Sequence, residues 1–195
     1  MDRKQLKALA KQQYKGHVGV LFLITVVVIV MSLMVATIPK VGVAMALCVV
    51  LPVFNMGIIT VYLNLMNCMT PEVAELFVQF KNIWPVFKVT VLRFGLTFLW
   101  SLLLVIPGII KAYSYSMSMY ILAEDPKIGA LEAIQRSKAM MDGHKMEFFM
   151  LHLSFAGWYL LCAVTFGIAA VWVVPYVSAT NANFYNSIKN TVRAE

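Results

Sequence analysis

Charge is what this sequence has least of. Of its 195 residues 13% are charged, and only nine are Asp or Glu, whereas soluble domains carry about 25% charged residues. Cysteine is scarce too. Cys48, Cys68 and Cys162 are odd in number, far apart and never arranged as CxxC, which argues against a disulfide framework and a thiol active site. Cys48 and Cys162 lie inside apolar runs, where the thiol behaves as a small hydrophobe. There is no HExxH, no GxSxG and no glycine loop that could cradle a phosphate, so the familiar hydrolase, metalloprotease and nucleotide-binding signatures are missing. The chain reads as non-enzymatic, with no cofactor and no metal.

Apolar residues are what it has instead. They make up 61% of the chain, and the mean hydropathy is +0.80. A soluble domain this short keeps too much of its surface exposed to hide them, and lipid is the solvent that accommodates them. The net charge of +7 would serve a nucleic-acid partner only on a soluble basic face. Lys and Arg fit better as cytoplasmic flanks of membrane spans, so no nucleic-acid partner is expected.

The runs predict an all-α fold: a polytopic transmembrane helical bundle, one membrane domain over residues 1–195. About six spans are expected, near residues 18–38, 41–66, 86–106, 109–123, 146–163 and 168–188. The first run outlasts the 7–15 residues of a signal-peptide core and reads as a retained helix. Pro52 and Gly57 are expected to bend the second span. The fourth reaches only about 22 Å of a roughly 30 Å hydrocarbon core. Pro107-Gly108 is expected to turn the chain there into a tight hairpin, with a re-entrant segment as the alternative. Three short amphipathic helices complete the pattern. Residues 2–16 carry Leu6, Leu9, Ala10 and Tyr14 at helical spacing among lysines, which suits a helix lying on an anionic leaflet. Residues 71–80 follow Thr70 as a cap, with Pro71 and Glu72 in the first turn. Residues 126–142 follow Asp125, with a Glu132–Arg136 pair and a stop at Gly143. With the N-terminus inside, every Lys and Arg except Lys40 and Lys111 falls on the cytoplasmic side, which places both termini in the cytoplasm.

Polar residues inside these spans are the candidate site. Lys111, Ser114, Tyr115 and Ser118 share one helical face in span four. In span six Trp172, Tyr176, Thr180 and Asn183 form a second row, with Asn181 beside them, and Pro175 could free a carbonyl there. Asn55 and Asn64 add polar groups in span two. Ionisable and polar groups at such depth turn to the bundle interior, where they would line a ligand pocket or serve only as interhelical hydrogen bonds. Lys88 and Arg93, at the start of span three, could contact lipid phosphates. His144, Glu147 and His152 lie near one face, but His144 beside Lys145 fits a membrane-entry position better than a metal site.

The second half resembles a known family. The run from Ile106 through Pro107-Gly108-Ile109-Ile110-Lys111-Ala112-Tyr113-Ser114-Tyr115-Ser116-Met117 is similar to the signature of domain of unknown function 975. The likeness continues through Tyr120, Leu122, Glu124-Asp125-Pro126, Leu131-Glu132-Ala133-Ile134, Ser137-Lys138, Gly143-His144-Lys145, Leu153-Ser154-Phe155, Gly157-Trp158, Thr165, Gly167, Trp172, Pro175-Tyr176, Thr180 and Phe184-Tyr185. The basic start at Arg3-Lys4-Gln5-Leu6-Lys7 fits as well. The resemblance implies a bacterial, Gram-positive, multi-pass protein of the cytoplasmic membrane, with no assigned reaction. A looser likeness to the membrane regions of some glycerophosphodiester phosphodiesterases implies a lipid context.

Two functions follow as expectations. The first is binding or transport of a lipid, peptide or small amphiphile at a polar intramembrane pocket. The second is an interaction or protection module, such as a partner subunit or a bacteriocin-type immunity protein. Membrane lipids are the expected partners, with a homo-oligomer or a membrane protein as the others compatible with the pattern. An intramembrane enzyme would need a metal at His144 or His152.

Overall fold

The computed structural model describes residues 3–16, 18–36, 51–66, 69–103, 105–165 and 167–194, and the described residues form helices and turns without a strand. The helices are α1 (Arg3–Gly16), α2 (Val18–Ala36), α3 (Leu51–Met66), α4 (Ala74–Val78), a 3-10 turn (Gln79–Asn82), α5 (Ile83–Leu103), α6 (Val105–Ser114), α7 (Ser118–Glu124), α8 (Ala130–Met140), α9 (Lys145–Leu153), α10 (Ala156–Val164) and α11 (Ala170–Ala194). The expected span residues 37–38 and 41–50, with Lys40, lie outside the described residues.

Helix α11 is the post of the assembly. It packs against α1, α2, α3, α8 and α10, and Val173, Val177, Ala179, Ala182, Phe184, Tyr185 and Ile188 are buried along it. Pro175 sits inside this helix without ending it. Aromatic stacking of Phe148 on Phe184, 4.8 Å between centroids, brings α9 to the same post.

The helix test separates length from apolar character. One continuous run, Ala74–Leu102, is long and apolar enough to cross a membrane, at 29 residues and mean hydropathy 1.3. The pair α9 and α10 makes a second if its 40° bend is one broken span. Val18–Met31 and Leu51–Met66 are apolar but shorter. Six unbroken crossings are therefore not what the described helices form. The amphipathic helix expected at 71–80 merges through the 3-10 turn into α5 instead of standing alone. Thr70 does not cap it, because the helix starts at Ala74 with Val73 as its N-cap. Residues 109–123 are two helices, broken at Tyr115-Ser116-Met117. Residues 146–163 are two helices, broken at Ser154-Phe155.

Two turn expectations shift for packing reasons. The α5–α6 hairpin exists, but α6 already begins at Val105, so Pro107 falls in its first turn, where its missing N–H is not needed. Gly108 is instead the contact point: a Cβ there would lie 2.8 Å from the Cα of Ser101. Gly57 lies inside α3 at a close contact. It lets α4 approach, since its Cβ would meet Leu76 Cα at 3.0 Å. Helix α8 starts at Ala130, later than expected, after a turn in which Asp125 Oδ1 accepts the Lys127 N–H at 3.1 Å. The Glu132–Arg136 pair forms at 2.7 Å, and Gly143 takes the positive φ of +80° that ends the helix. Beyond it Lys145, 2.9 Å away, holds the Asp142 carboxyl below the usual carboxylate range.

The N-terminal helix departs most from expectation. It lies along α11, with Leu6 and Ala10 buried in the protein's core and Leu9 exposed, so part of the apolar face expected toward lipid packs on protein. Lys7 Nζ donates to the Ser154 carbonyl at 3.3 Å and stands 4.1 Å from the Phe155 ring centroid. It thus meets a carbonyl at the negative end of α9. Phe22 meets Trp172 at 5.6 Å. The starts of spans one and six were expected on opposite faces of the membrane; this contact puts them at one level.

The break in the fourth segment is held from outside. Ser137 of α8 is fully buried. Its hydroxyl donates to the Ser114 carbonyl at 2.9 Å and accepts the Met117 N–H at 3.1 Å. Ser137→Ala leaves two buried backbone groups without that partner, at about 1–3 kcal/mol each. The expected result is a loss of about 2–4 kcal/mol in denaturant unfolding in mild detergent, with Ser137→Thr recovering part of it.

Candidate functional site

Helix α5 carries a guanidinium at its midpoint. Arg93 is the eleventh residue of the 21 in Ile83–Leu103, flanked by Phe94 and Phe98, which are 73% and 61% exposed. Together with Thr90, Phe94 and Thr97 from α5, Ala112 from α6 and Met119 from α7, it lines a groove of about 300 Å³. The Thr90 hydroxyl donates to the Val86 carbonyl at 2.8 Å, so its oxygen faces outward as an acceptor. Among the described residues no carboxylate pairs with Arg93. Its electrostatic neighbour is the Tyr120 phenol of α7.

Tyr120 leads to a second polar cluster. Its ring stacks on Tyr185 of α11 at 5.2 Å. The Tyr185 hydroxyl donates to Glu124 Oε2 at 3.0 Å, and Lys189 Nζ donates to the same oxygen at 2.6 Å. Glu124 and Lys189 are 65 residues apart in the chain, and the pair ties the end of α7 to the end of α11.

The residues picked from the sequence do not converge on one pocket. Lys111 lies 4.7 Å from the Trp100 ring centroid, across the α5–α6 hairpin, a cation–π contact. The Ser114 hydroxyl donates to the Ile110 carbonyl, and that of Ser118 to the Tyr115 carbonyl. Tyr115 lies in the break and is 5% exposed. The expected continuous face of span four is therefore interrupted, and its serine hydroxyls bond locally. In α11 Thr180 is fully buried and donates to the Tyr176 carbonyl at 2.8 Å. Tyr176 packs edge-on against Phe155 at 5.5 Å. It lines, with Lys11, Trp158, Trp172 and Val173, a separate groove of about 270 Å³. Asn183 is buried, and Asn181 Oδ1 is buried without a partner. Asn55, expected inside, is exposed.

Lys88 and Arg93 face different spaces. Lys88 joins Trp84, Phe87 and Leu131 along an apolar groove of about 670 Å³ between α5 and α8. His144 pairs with Glu147 at 3.1 Å, while His152 packs on Phe148 at 4.6 Å and meets the Tyr159 hydroxyl at 3.3 Å. Sequence reasoning missed Glu124, Tyr185, Lys189 and Ser137 as a set, because partners 20 or 65 residues apart share no periodicity. For Glu124, Ser137 and Tyr185 the available signal was their presence within the family-like stretches; Lys189 lies beyond those stretches.

Among the described residues these features define a class: an all-α protein with a long, exposed apolar helix and, in a groove on its side, an arginine with no carboxylate partner. Residues 93–192 match the family described as "Protein of unknown function (DUF975)", and the chain belongs to that family. No curated protein and no solved structure matches it.

Proposed function

We propose that this is a multi-pass, non-enzymatic membrane protein that binds an anionic amphiphile, a lipid or a lipid-like solute, in the groove around Arg93. One observation carries the reading: a guanidinium at the midpoint of α5, within the long apolar run, lining an open groove, with no carboxylate paired to it among the described residues. A charge at that depth is costly unless something compensates it. A phosphate or carboxylate would accept both arms of the guanidinium fork, and Phe94 and Met119 offer apolar surface for a chain. The broken α6–α7 pair, which lines the groove with Ala112 and Met119, supports the reading, because interrupted spans commonly border binding sites in membrane proteins.

The topology that goes with it has five crossing segments, α3, the α4–α5 run, α6–α7, α9–α10 and α11, with α2 packed on α11 and α3 from the outer side. The cytoplasm holds both termini, the side on which the lysines and arginines concentrate. Helix α1 enters part-way from that side, which allows α2 to begin level with the start of α11. Single cysteines in a background lacking Cys48, Cys68 and Cys162 test this. Ile168→Cys and Val18→Cys should react with an impermeant maleimide added outside intact cells, and Gln135→Cys should not. Labelling of Gln135→Cys overturns the orientation, and protection of Val18→Cys overturns the inserted α1.

The binding proposal is tested by mass spectrometry of what stays bound after gentle extraction. A stoichiometric anionic amphiphile is the expected result. A specific protein partner in its place would favour an interaction or protection module, and random bulk lipid would overturn the binding reading.

A further inference from the structure

A second polar site lies between α3 and the stretch that leads into α5, away from Arg93. Asn64 and Thr60 project from α3. Glu75 of α4 and Gln79 of the 3-10 turn face them, one helical turn apart. Asn64 Nδ2 donates to Glu75 Oε1 at 2.8 Å. Gln79 Nε2 donates to Thr60 Oγ1 at 2.9 Å. The Thr60 proton is committed to the Met56 carbonyl at 3.0 Å, so Thr60 must accept from Gln79. This fixes the Gln79 amide orientation and turns Oε1 away from the threonine.

Two oxygens are left over. Glu75 Oε2 and Gln79 Oε1 are both buried and have no hydrogen-bond partner, and Gln79 as a residue is only 5% exposed. Both atoms are acceptors, so they cannot satisfy each other. Among the described residues no Lys, Arg or His pairs with Glu75. A buried carboxylate oxygen with no donor and no counter-charge is strongly unfavourable. Side chains at i and i+4 stand about 5–6 Å apart at Cβ, within reach of one shared ion.

We propose that Glu75 and Gln79 bind a small monovalent cation, sodium or potassium, between α3 and α4. The donor set is hard oxygen: a carboxylate and an amide carbonyl. It carries one negative charge, which one monovalent ion neutralises. A divalent site would call for more carboxylates, and the described residues contain no cluster of three His, Cys, Asp or Glu. Because the ion would join α3 to the start of the long α4–α5 run, its occupancy would stabilise that junction.

The test uses the full-length protein in nanodiscs at fixed pH and ionic strength. Thermal unfolding is compared in sodium, potassium and N-methyl-D-glucamine chlorides. An ion at about ten times its Kd should raise the Tm by about 3–6 °C over the bulky organic cation. A rise in only one salt identifies the ion. Glu75→Gln and, separately, Gln79→Leu should each abolish the difference. Broadening of the sodium-23 resonance by wild-type protein, lost in Gln79→Leu, gives a readout that does not depend on unfolding. Equal Tm in all three salts overturns the proposal, as does a cation dependence that survives both substitutions.

Discussion

Gly108→Ala should lower the stability of the α5–α6 hairpin by about 1–3 kcal/mol, the usual cost of forcing a group into packed space. The added Cβ would lie 2.8 Å from Ser101 Cα and overlap the Ser101 hydroxyl. The hydroxyl is the nearer obstacle, but Cα is backbone, so rotating the side chain does not relieve the whole clash and the helices must separate. Small residues permit such close approach between helices in lipid. Ser101→Gly in the same chain should restore only part of the loss, because it removes Oγ and Cβ but leaves Cα in place. The displaced wall also matters for the groove: Ala112, one turn beyond Gly108 on α6, lines the Arg93 space. Denaturant unfolding in detergent reads the stability loss, and amphiphile retention should fall with it. A Gly108→Ala protein as stable as wild type would show that the two helices are not held at this distance.

Arg93→Gln should reduce retention of the anionic amphiphile by about ten- to a hundredfold, the equivalent of one or two charge-assisted hydrogen bonds. Arg93→Lys should fall between, since it keeps the charge but loses the planar fork. Stability separates a binding role from a structural one. If Arg93 is an unpaired cation kept for a ligand, Arg93→Met should leave the ligand-free protein as stable as wild type or more so, because removing an uncompensated charge is favourable. If Arg93 holds the fold, Arg93→Met should destabilise it while the remaining folded fraction still binds. Undiminished retention in Arg93→Gln would remove Arg93 from the site.

Legibility in the sequence was uneven. Arg93 was visible as a charge in an apolar run, but nothing local distinguished it from Lys88. The two diverge because they sit five residues apart, well over a turn, and so face different grooves. The rows through Ser114 and Ser118, and through Tyr176 and Thr180, were correctly seen as polar. Spacing could not reveal that the hydroxyls of Ser114, Ser118 and Thr180 bond carbonyls three or four residues back along the chain. Both helix breaks lack glycine or proline at the break itself. The first depends on Ser137, more than twenty residues away, and the second is met by Lys7 from α1.

What the sequence by itself determined is the chemistry of the surface. The scarcity of charge, the apolar runs and their helical periodicity require an all-α chain with apolar faces, because these are properties of each segment alone. The Glu132–Arg136 pair and the stop at Gly143 belong to the same class: partners within one turn, or a single residue that tolerates positive φ. The tertiary structure decided which segments break, where α1 lies, that Arg93 lines a groove with no carboxylate among the described residues, and which acceptors are left unsatisfied. Those outcomes depend on distances between residues 20 to 147 positions apart, and periodicity along a chain carries no information about them.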